Sequence, residues 1–374
     1  MIYQLDQADY HTVRPLFEEL AKWNFVIDSV LEGTILGRIY VDDPANPESA
    51  FFFSAFWYFL AGNPNHQAFN QAINALITSE SFGNDPHRGD EDMIFLVCQP
   101  DVWQDQFPDL FKEQLPTEIR RYRHLFTELP ADWQERLPDG FMVRRFDKEL
   151  LENQQRKNFD GLDHWMHMYW GAPVEIFLRE GVGGCLMHED EIASWCLTVN
   201  VAGDRCELGI ETAKEFRLQG LGAVTAMATI DLCLYRGFTT IDWHCGDDHM
   251  GSRGVARKAG FVKEREYPAY LYMLDPVTHY AFPGDLRLRG RKYQEAVALY
   301  ERSMTIGEVS DAVYHNAARA YAMLGDPDKA LCHLTMAIDK GWTNLELTRG
   351  CEEFQSLRDM PGWEAVLTRL QEQS

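Results

Sequence analysis

The sequence predicts a mixed α/β fold, built as two successive α/β segments and followed by a smaller all-helical segment. Two observations support this prediction. Helical and strand-like hydrophobic patterns alternate from residue 1 to about residue 282. The remaining residues are helical and repeat with a period of 34 residues. We therefore predict three domains, at 1–135, 136–282 and 283–374.

The first segment is predicted to alternate helices and strands without any phosphate-binding glycines. Its predicted elements are a helix at 13–23, strands at 35–41 and 50–60, a helix at 70–76 and a strand at 93–98. Pro130 to Asp139, with two prolines and a glycine after it, marks a domain boundary.

The second segment repeats this alternation and adds a glycine-containing turn. Its predicted elements are strands at 141–145, 184–187, 192–199 and 205–211, a helix at 221–235, a strand at 239–245, a short helix ending at Gly260, and closing strands within 262–274 around Pro268. Gly260 is suited to a left-handed helix cap. The first segment looks like a degenerate copy of this one.

The third segment has the pattern of tetratricopeptide repeats. Three residues recur 34 positions later: Ala296, Tyr300 and Met304 as Ala330, Leu334 and Ile338. At most two repeats are visible, below the usual three. We therefore expect the segment to pack on the rest of the chain, a protein partner or a second copy, with a capping helix pair at 354–370.

The composition is that of a folded, acidic protein. The 374 residues are 45% hydrophobic and 25% charged, which excludes a disordered chain. The net charge is −23, and residues 1–140 contribute 23 acids against 9 bases. Nucleic acid and anionic membranes are therefore poor partners. Solubility is the simplest role of the acidic excess, and attraction of a cationic ligand is the alternative.

The N-terminal residues and the cysteines favour a cytoplasmic protein. Met1 to Asp6 lack the basic region and apolar core of a signal peptide. The longest apolar stretch, from Phe51 to Gly62, is shorter than the roughly 20 residues that span a bilayer. The eight cysteines form no CxxC pair, which indicates reduced core thiols.

The residues 217–223, Arg-Leu-Gln-Gly-Leu-Gly-Ala, carry the strongest functional signal because they stand between a predicted strand and a predicted helix. Gly220 and Gly222 allow a ligand to approach the backbone closely, and a helix N-terminus favours anions. A pyrophosphate fits such a turn. The Lys of a nucleotide P-loop and the spacing of a dinucleotide fingerprint are both absent. The pattern that remains is R-x-x-G-x-G.

This pattern resembles the coenzyme A loop of the GNAT acetyltransferase superfamily. The surrounding sequence is similar too: Glu207 to Ile210 precede the loop, Trp243 to Cys245 follow on the next strand, and Ala259 to Phe261 end the next helix. The resemblance covers about 140–275 and is most specific over 207–261. It implies a GNAT fold, mostly antiparallel, in a bacterial group that carries its acetyltransferase domain in the second half.

The resemblance also implies how acetyl-CoA would bind. Backbone N–H groups of the loop bind the pyrophosphate, and the edge of the strand that ends at Thr212 pairs with the pantetheine arm. The implied coenzyme-binding residues are Ile210, Thr212, Arg217, Leu218, Gln219, Gly220, Leu221, Gly222, Ala223, His249 and Ser252. No metal is expected.

The implied reaction is direct attack of a neutral amine on the thioester, which requires a base and a source of protons for the thiolate. Glu207 is the first candidate base, because several GNAT enzymes keep one ten residues before the loop arginine. Glu211, on the same strand face, is the second. The alternative for both is an exposed carboxylate or an ion-pair partner of Arg217.

The sequence departs from the family at the acid. Many GNAT enzymes carry Asn and, seven residues later, Tyr on the helix before Gly-Phe, where this chain has His249 and Ala256. Two alternatives remain for protonation of the thiolate: a tyrosine on a later strand, or release of the thiolate to water. The candidate tyrosines are Tyr267, Tyr270 and Tyr272, for which simple packing is the other interpretation.

Two histidine-containing groups resemble metal sites weakly. His164 and His167 have helical spacing but no third ligand nearby, so lining of an acceptor pocket or core packing is favoured. The group at 244–249 is ordinary turn chemistry. We predict an N-acetyltransferase acting on a small-molecule or peptide amine. The alternatives are a non-catalytic acyl-CoA-binding or interaction module, and a scaffold without coenzyme.

Overall fold

The structure is a computed structural model that describes residues 1–88, 92–112, 114–152, 155–171 and 174–373. The chain divides into two compact units. The first consists of Met1–Asp247 and Gly251–Tyr272, and the second of Asp248–Met250 and Met273–Ser374. The three-domain division at 135/136 and 282/283 stays a prediction.

A single sheet runs through the first unit. In the described residues its strands are β1 (Tyr3–Gln4), β2 (Arg38–Val41), β3 (Ser49–Ser54), β4 (Trp57–Gly62), β5 (Met93–Gln99), β6 (Thr117–Phe126), β7 (Phe141–Arg145), β8 (Gly183–His188), β9 (Glu191–Ala202), β10 (Arg205–Thr212), β11 (Thr240–Gly246) and β12 (Phe261–Met273). Their spatial order is β1-β2-β3-β4-β5-β12-β6-β11-β10-β9-β8-β7.

Helices flank this sheet. In chain order they are α1 (Arg14–Ala21), α2 (Phe25–Leu31), α3 (Gln67–Ile77), α4 (Glu80–Gly83), α5 (Phe107–Leu110), α6 (Lys148–Glu152), α7 (Phe159–Trp170), α8 (Val174–Glu180), α9 (Leu221–Arg236) and α10 (Met250–Lys258). Short 3-10 helices lie at Gln7–Val13, Pro86–Arg88, Asp101–Gln106, Trp133–Arg136 and Lys214–Phe216. α9 is rich in small residues, and most of it is buried against β8 and β9.

The sheet contains the same arrangement twice. In the first half, β1 to β4 are antiparallel neighbours, and β4 pairs in parallel with β5. In the second half, β7 to β10 are antiparallel neighbours, and β10 pairs in parallel with β11. This repetition confirms the predicted duplicated α/β fold with a mostly antiparallel, mixed sheet.

The two halves exchange their last strands. β6, from the first half, lies between β11 and β12, and β12, from the second half, lies between β5 and β6. β6 pairs antiparallel with both β11 and β12. Each half therefore completes its sheet with a strand of the other half.

Three strand predictions need correction. Residues 50–60 form the hairpin of β3 and β4 rather than one strand, because Ala55 adopts a positive φ of 50° in a turn without Gly, Pro or Asn. Residues 262–273 belong to the single strand β12, which continues through Pro268 opposite Arg120. β6 was not predicted, because its arginines obscure the alternation of apolar and polar residues that indicates a strand.

The second unit is helical. Its α-helices within the described residues are α11 (Pro276–Arg289), α12 (Tyr293–Ile306), α13 (Asp311–Met323), α14 (Pro327–Asp339), α15 (Leu345–Gly350) and α16 (Pro361–Gln373), with a 3-10 helix at Glu352–Leu357. α11 runs through residues 282 and 283. The helices share one core, in which Ala296 and Ala330 are fully buried. Among the described helices, none combines the length and the hydropathy that a membrane span requires.

Candidate active site

The strands β10 and β11 separate part-way along their length. Their parallel pairing joins Arg205–Glu207 to residues 240–242 and goes no further along these two fully described strands. At the same point the register between β9 and β10 shifts, between Glu207 and Leu208. Such a bulge bends a strand away from its neighbour. We call the resulting opening, between residues 208–212 and 243–246, the wedge.

The first half of the sheet has no such opening in its described strands. There, β4 and β5 pair continuously from Trp57 with Phe95 to Ala61 with Gln99. The backbone groups between these two strands are therefore used within the sheet. In the second half, β10 pairs with β9 as far as Thr212 while its other edge borders the wedge, so residues 208–212 offer an unpaired edge inside the sheet.

The glycine-containing loop lies at the N-terminus of α9, directly after β10. Gly220 has a positive φ of 84°, and a side chain added there would meet no atom within 4 Å. At Gly222 a Cβ would lie 3.2 Å from Thr212 Oγ1 and 3.7 Å from Ile210 Cδ1. The loop therefore packs closely on the end of β10 and stays open above Gly220. In the first turn of α9 the Ala223 N–H donates to the Gly220 carbonyl oxygen at 3.1 Å, and the first N–H groups of a helix otherwise lack an acceptor one turn earlier.

Arg217 fastens this loop to β10. Its Nε donates to the Thr212 carbonyl oxygen at 3.0 Å, and its Nη2 lies 2.9 Å from Glu211 Oε1. Gln219 closes the turn by donating to the Glu215 carbonyl oxygen at 3.2 Å. Leu218 is fully exposed at a positive φ of 64°. The structure thus places Glu211 beside Arg217, which is the ion-pair alternative considered for it.

Glu207 lies at the vertex of the wedge, opposite Asp242 in the last parallel pair. The residue is only 6% exposed. Its Oε2 accepts a hydrogen bond of 2.9 Å from Asn200 Nδ2 on β9. The carboxylate is therefore held in place by one donor at the point where the two strands part. This position suits a base that acts on a group entering the wedge.

A second polar group lies on the same face of the sheet, and the sequence did not predict it as a unit. Tyr267 Oη is 2.8 Å from His244 Nδ1 and 3.2 Å from Arg121 Nε. The Arg121 guanidinium also stacks on Trp57, 4.8 Å from the ring centroid, and on Phe95, at 5.3 Å. His244 comes from β11, Tyr267 from β12 and Arg121 from β6, so the strand exchange assembles this group.

Burial has the largest effect on the tyrosine of this group and raises the pKa of Tyr267 to about 12. The adjacent Arg121 guanidinium opposes this effect, by its charge and by its hydrogen bond, and lowers the pKa. Tyr267 therefore keeps its proton at neutral pH. Glu207 lies close enough to interact electrostatically with both Tyr267 and Arg121.

The other predicted residues lie apart from this group. Tyr270 Oη donates to Gln104 Oε1 at 3.2 Å, and the Tyr272 ring packs on Phe111. Ser252, on α10, accepts a hydrogen bond of 2.9 Å from Trp243 Nε1, and His249 is exposed before that helix.

His164 and His167 are exposed on α7, and His167 Nδ1 lies 2.9 Å from the Asp163 carbonyl oxygen. Within the described ranges, no three His, Cys, Asp or Glu side chains are arranged to hold a metal ion.

Three comparisons with known proteins agree with this geometry. A model of the family described as GNAT acetyltransferase matches residues 14–270. The protein "Uncharacterized N-acetyltransferase YdfB" of Bacillus subtilis (strain 168) is 25% identical over 273 residues, which cover 72% of this chain and 98% of the relative. A crystal structure of a GCN5-related N-acetyltransferase-like protein from Streptococcus suis 89/1591 has a TM-score of 0.53 and 26% identity, and covers 70% of this chain and 98% of that protein.

The family match spans both halves of the sheet, including the wedge and the glycine-containing loop, and stops before α11. It confirms the predicted family and the prediction of an N-acetyltransferase. On the strength of that match over most of its length, the chain belongs to the GNAT acetyltransferase family.

Proposed function

We propose that the protein transfers an acetyl group from acetyl-CoA to a primary amine of a small molecule, by direct attack of the amine on the thioester. One observation carries the proposal: the wedge and the glycine-containing loop occur together in the second half of the sheet, whereas β4 and β5 are paired without a gap. The proposed coenzyme site therefore belongs to the second half alone.

The proposed coenzyme contacts use backbone groups. The loop amides from Leu218 to Ala223 and the positive end of the α9 dipole suit a pyrophosphate. Residues 208–212 offer an unpaired strand edge, and an amide-containing chain such as pantetheine adds to such an edge by main-chain hydrogen bonds. The open space above Gly220 and the close packing of Gly222 on Thr212 both fit a ligand that approaches the backbone. Ser252 and His249 remain proposed contacts.

Glu207 is the proposed base. It lies at the vertex, buried, with one hydrogen-bond donor and a second carboxylate oxygen available for the amine proton. A positioned base of this kind contributes about 10²- to 10⁴-fold to a rate. Glu211 is engaged with Arg217, so the structure favours a role for Glu211 in holding the loop.

The proposed acceptor subsite lies on the same face of the sheet as Glu207. A Cβ on Gly209 would lie 2.5 Å from Trp165 Cζ3, so Trp165 packs directly on the backbone of β10 beside the wedge. From there aromatic rings continue across both halves, with neighbouring centroids 5.4–5.8 Å apart. This aromatic wall consists of Trp165, Tyr169, Phe56, Trp57 and Phe95. Such rings attract a cationic amine, and the negative charge of the chain adds to that attraction.

Thermal unfolding with acetyl-CoA tests the coenzyme site. We expect acetyl-CoA at about 100 times its Kd to stabilise the wild type by about 2.7 kcal/mol and Gly220→Glu to abolish this effect. Gly237→Glu is the matched control, because Gly237 ends the same helix with a positive φ of 100° and equally open surroundings. An unchanged melting temperature in the wild type would reject the proposal.

Release of CoA thiol from acetyl-CoA with a panel of small primary amines tests the reaction. Glu207→Gln is expected to lower kcat by at least about 10²-fold, with the acetyl-CoA stabilisation retained. Turnover with peptides or proteins and never with small amines would show that the acceptor is a peptide or protein amine instead of a small molecule. Binding without turnover on any amine would favour the non-catalytic acyl-CoA-binding module.

The second unit is proposed to be a tetratricopeptide-like module that contacts a protein partner or a second copy. The 34-residue spacing places Ala296 and Ala330, and likewise Tyr300 and Leu334, in the same buried core. The family match ends before this unit. A cytoplasmic location also stays a prediction.

A further inference from the structure

His244 has one buried nitrogen without a partner. Its side chain is 2% exposed, and Nε2 forms no hydrogen bond within the described residues. The nearest acidic oxygen, Asp242 Oδ2, is 3.6 Å away, which exceeds hydrogen-bond distance. Both Asp242 oxygens are engaged by Arg123, at 2.6 and 3.0 Å. A buried polar nitrogen is costly unless something pairs with it.

The strand register places His244 beside the wedge. The parallel pairing of β10 with β11 ends at Asp242, and His244 follows two residues later on the part of β11 that borders the opening. Residues two apart on a strand share a face. His244 therefore lies on the face of Asp242, with Glu207 across the vertex. A thioester drawn into the wedge would meet His244 on one side and Glu207 on the other.

The hydrogen bond between Arg121 and Tyr267, on the other side of the imidazole, has a fixed direction. A guanidinium has donors only, so Arg121 Nε–H donates to Tyr267 Oη. The hydroxyl proton of Tyr267 is then available for its other partner, His244 Nδ1. A neutral imidazole that accepts at Nδ1 carries its proton at Nε2. The chain Arg121, Tyr267, His244 therefore delivers an N–H toward the vertex.

We propose that His244 passes the Nε2 proton to the departing sulfur of the acyl-CoA thioester, and that Tyr267 and Arg121 are the positioning residues that support this transfer. This inference rests on the proposed acetyl transfer. Tyr267 does not give its proton to the sulfur directly. Its strand β12 is separated from β11 by β6, which puts the two strands about 10 Å apart. The Tyr267 hydroxyl therefore ends at His244.

The step balances as a proton relay. The amine nitrogen bonds to the thioester carbon and loses a proton to Glu207, while the C–S bond breaks with its electron pair left on sulfur. The Nε2 proton moves to that sulfur, and the Tyr267 hydroxyl proton moves to Nδ1. The phenolate that remains is held by the Arg121 guanidinium. The proton from Glu207 returns to Tyr267 through water, so none is consumed.

Nitrogen NMR of protein labelled with ¹⁵N at histidine tests the arrangement directly. His244→Gln identifies the His244 signals among those of the twelve histidines. We expect the Nδ1 atom of wild-type His244 to be unprotonated and Nε2 to carry the proton, and Tyr267→Phe to give a mixture of tautomers. Adding CoA, which supplies the thiol, is expected to shift the Nε2 signal more than the Nδ1 signal. His124→Gln is the matched control, because His124 is buried on the neighbouring strand but faces Tyr122.

Two results would overturn the inference. One is a His244 proton on Nδ1, or a doubly protonated ring, at neutral pH. The other is a His244 signal unmoved by CoA while thermal unfolding shows that CoA binds. In that second case the coenzyme site stands and only the role of His244 fails. If the wild type is stabilised by neither CoA nor acetyl-CoA, the proposed function itself fails.

Discussion

Arg123 and Asp242 form a bidentate ion pair between β6 and β11, with side chains 7% and 0% exposed. Glu264 adds a third contact, 3.4 Å from the guanidinium. A buried pair of this kind contributes little net stability, but removing one partner leaves an uncompensated charge in the interior. The pair also ties a strand of the first half to one of the second.

Asp242→Asn is therefore expected to lower the free energy of unfolding by about 3–5 kcal/mol, measured by urea denaturation. Asp132→Asn is the control, since Asp132 forms an exposed pair with Arg136. Such surface pairs contribute at most about 1 kcal/mol. Equal effects of the two substitutions would contradict this account of the buried pair.

His315 makes the second unit sensitive to pH. The ring is 1% exposed and stacks on Trp342 with centroids 4.2 Å apart. Burial first, and the charge of Arg319 second, lower the pKa of His315 to about 4. The unfolded chain, with a histidine pKa near 6.5, binds this proton more readily. Stability is therefore complete above about pH 6.5 and is lost as the pH falls toward 4.

We expect this loss to reach about 3 kcal/mol between these pH values. The measurement is urea denaturation at several pH values, with His315→Gln as the reference. The difference between wild type and variant removes the contribution of the other titrating groups. A difference that does not change with pH would show that His315 titrates alike in both states.

At the scale of elements, the unpaired edge of β10 predicts how its backbone amides exchange hydrogen with and without coenzyme. Backbone amides of residues 208–212 that face the wedge should be protected when pantetheine pairs with them. At about 100 times the Kd, exchange that requires coenzyme release slows by about 100-fold. Residues 57–61 of β4 are the internal control, because their pairing with β5 is complete. Protection of both strands alike would argue against the wedge as the binding edge.

The helices and strands could be predicted from the sequence more completely than the pairing of the strands in the sheet. The loop at 217–223, α9 and Gly260 were predictable, because glycine conformation and helix capping are local properties. The candidate base Glu207 followed from the resemblance, because several GNAT enzymes keep a base ten residues before the loop arginine. The contribution of Arg121 and the proposed role of His244 could not be predicted. Both residues contact Tyr267 because the two halves exchange strands, and no local sequence pattern indicates that exchange. The arginines of β6 are charged side chains on a largely covered strand, which hydrophobic periodicity misses.

At the scale of the molecule, the exchange of β6 and β12 makes the two halves of the sheet depend on each other. A fragment of residues 1–130 contains β6 without its neighbours β11 and β12. A fragment of residues 131–374 lacks the strand that joins β11 to β12. Either fragment alone would expose unpaired strand edges, which favours aggregation.

We expect each fragment to be insoluble when expressed alone and the two to co-purify as a folded complex when co-expressed. Acetyl-CoA should stabilise the complex, as measured by thermal unfolding. A soluble, folded fragment 131–374 that binds acetyl-CoA without residues 1–130 would show that the strand exchange is dispensable.

The continuous pairing of β4 with β5 in the first half also has a consequence for how the two halves evolve. Its β4 and β5 pair without an opening, so the first half lacks the gap that separates β10 from β11. A deletion of the first half would nevertheless remove strand β6 from between β11 and β12, together with Arg121 and part of the aromatic wall. Because the second half needs that strand, the two halves are expected to diverge in sequence while remaining in one chain.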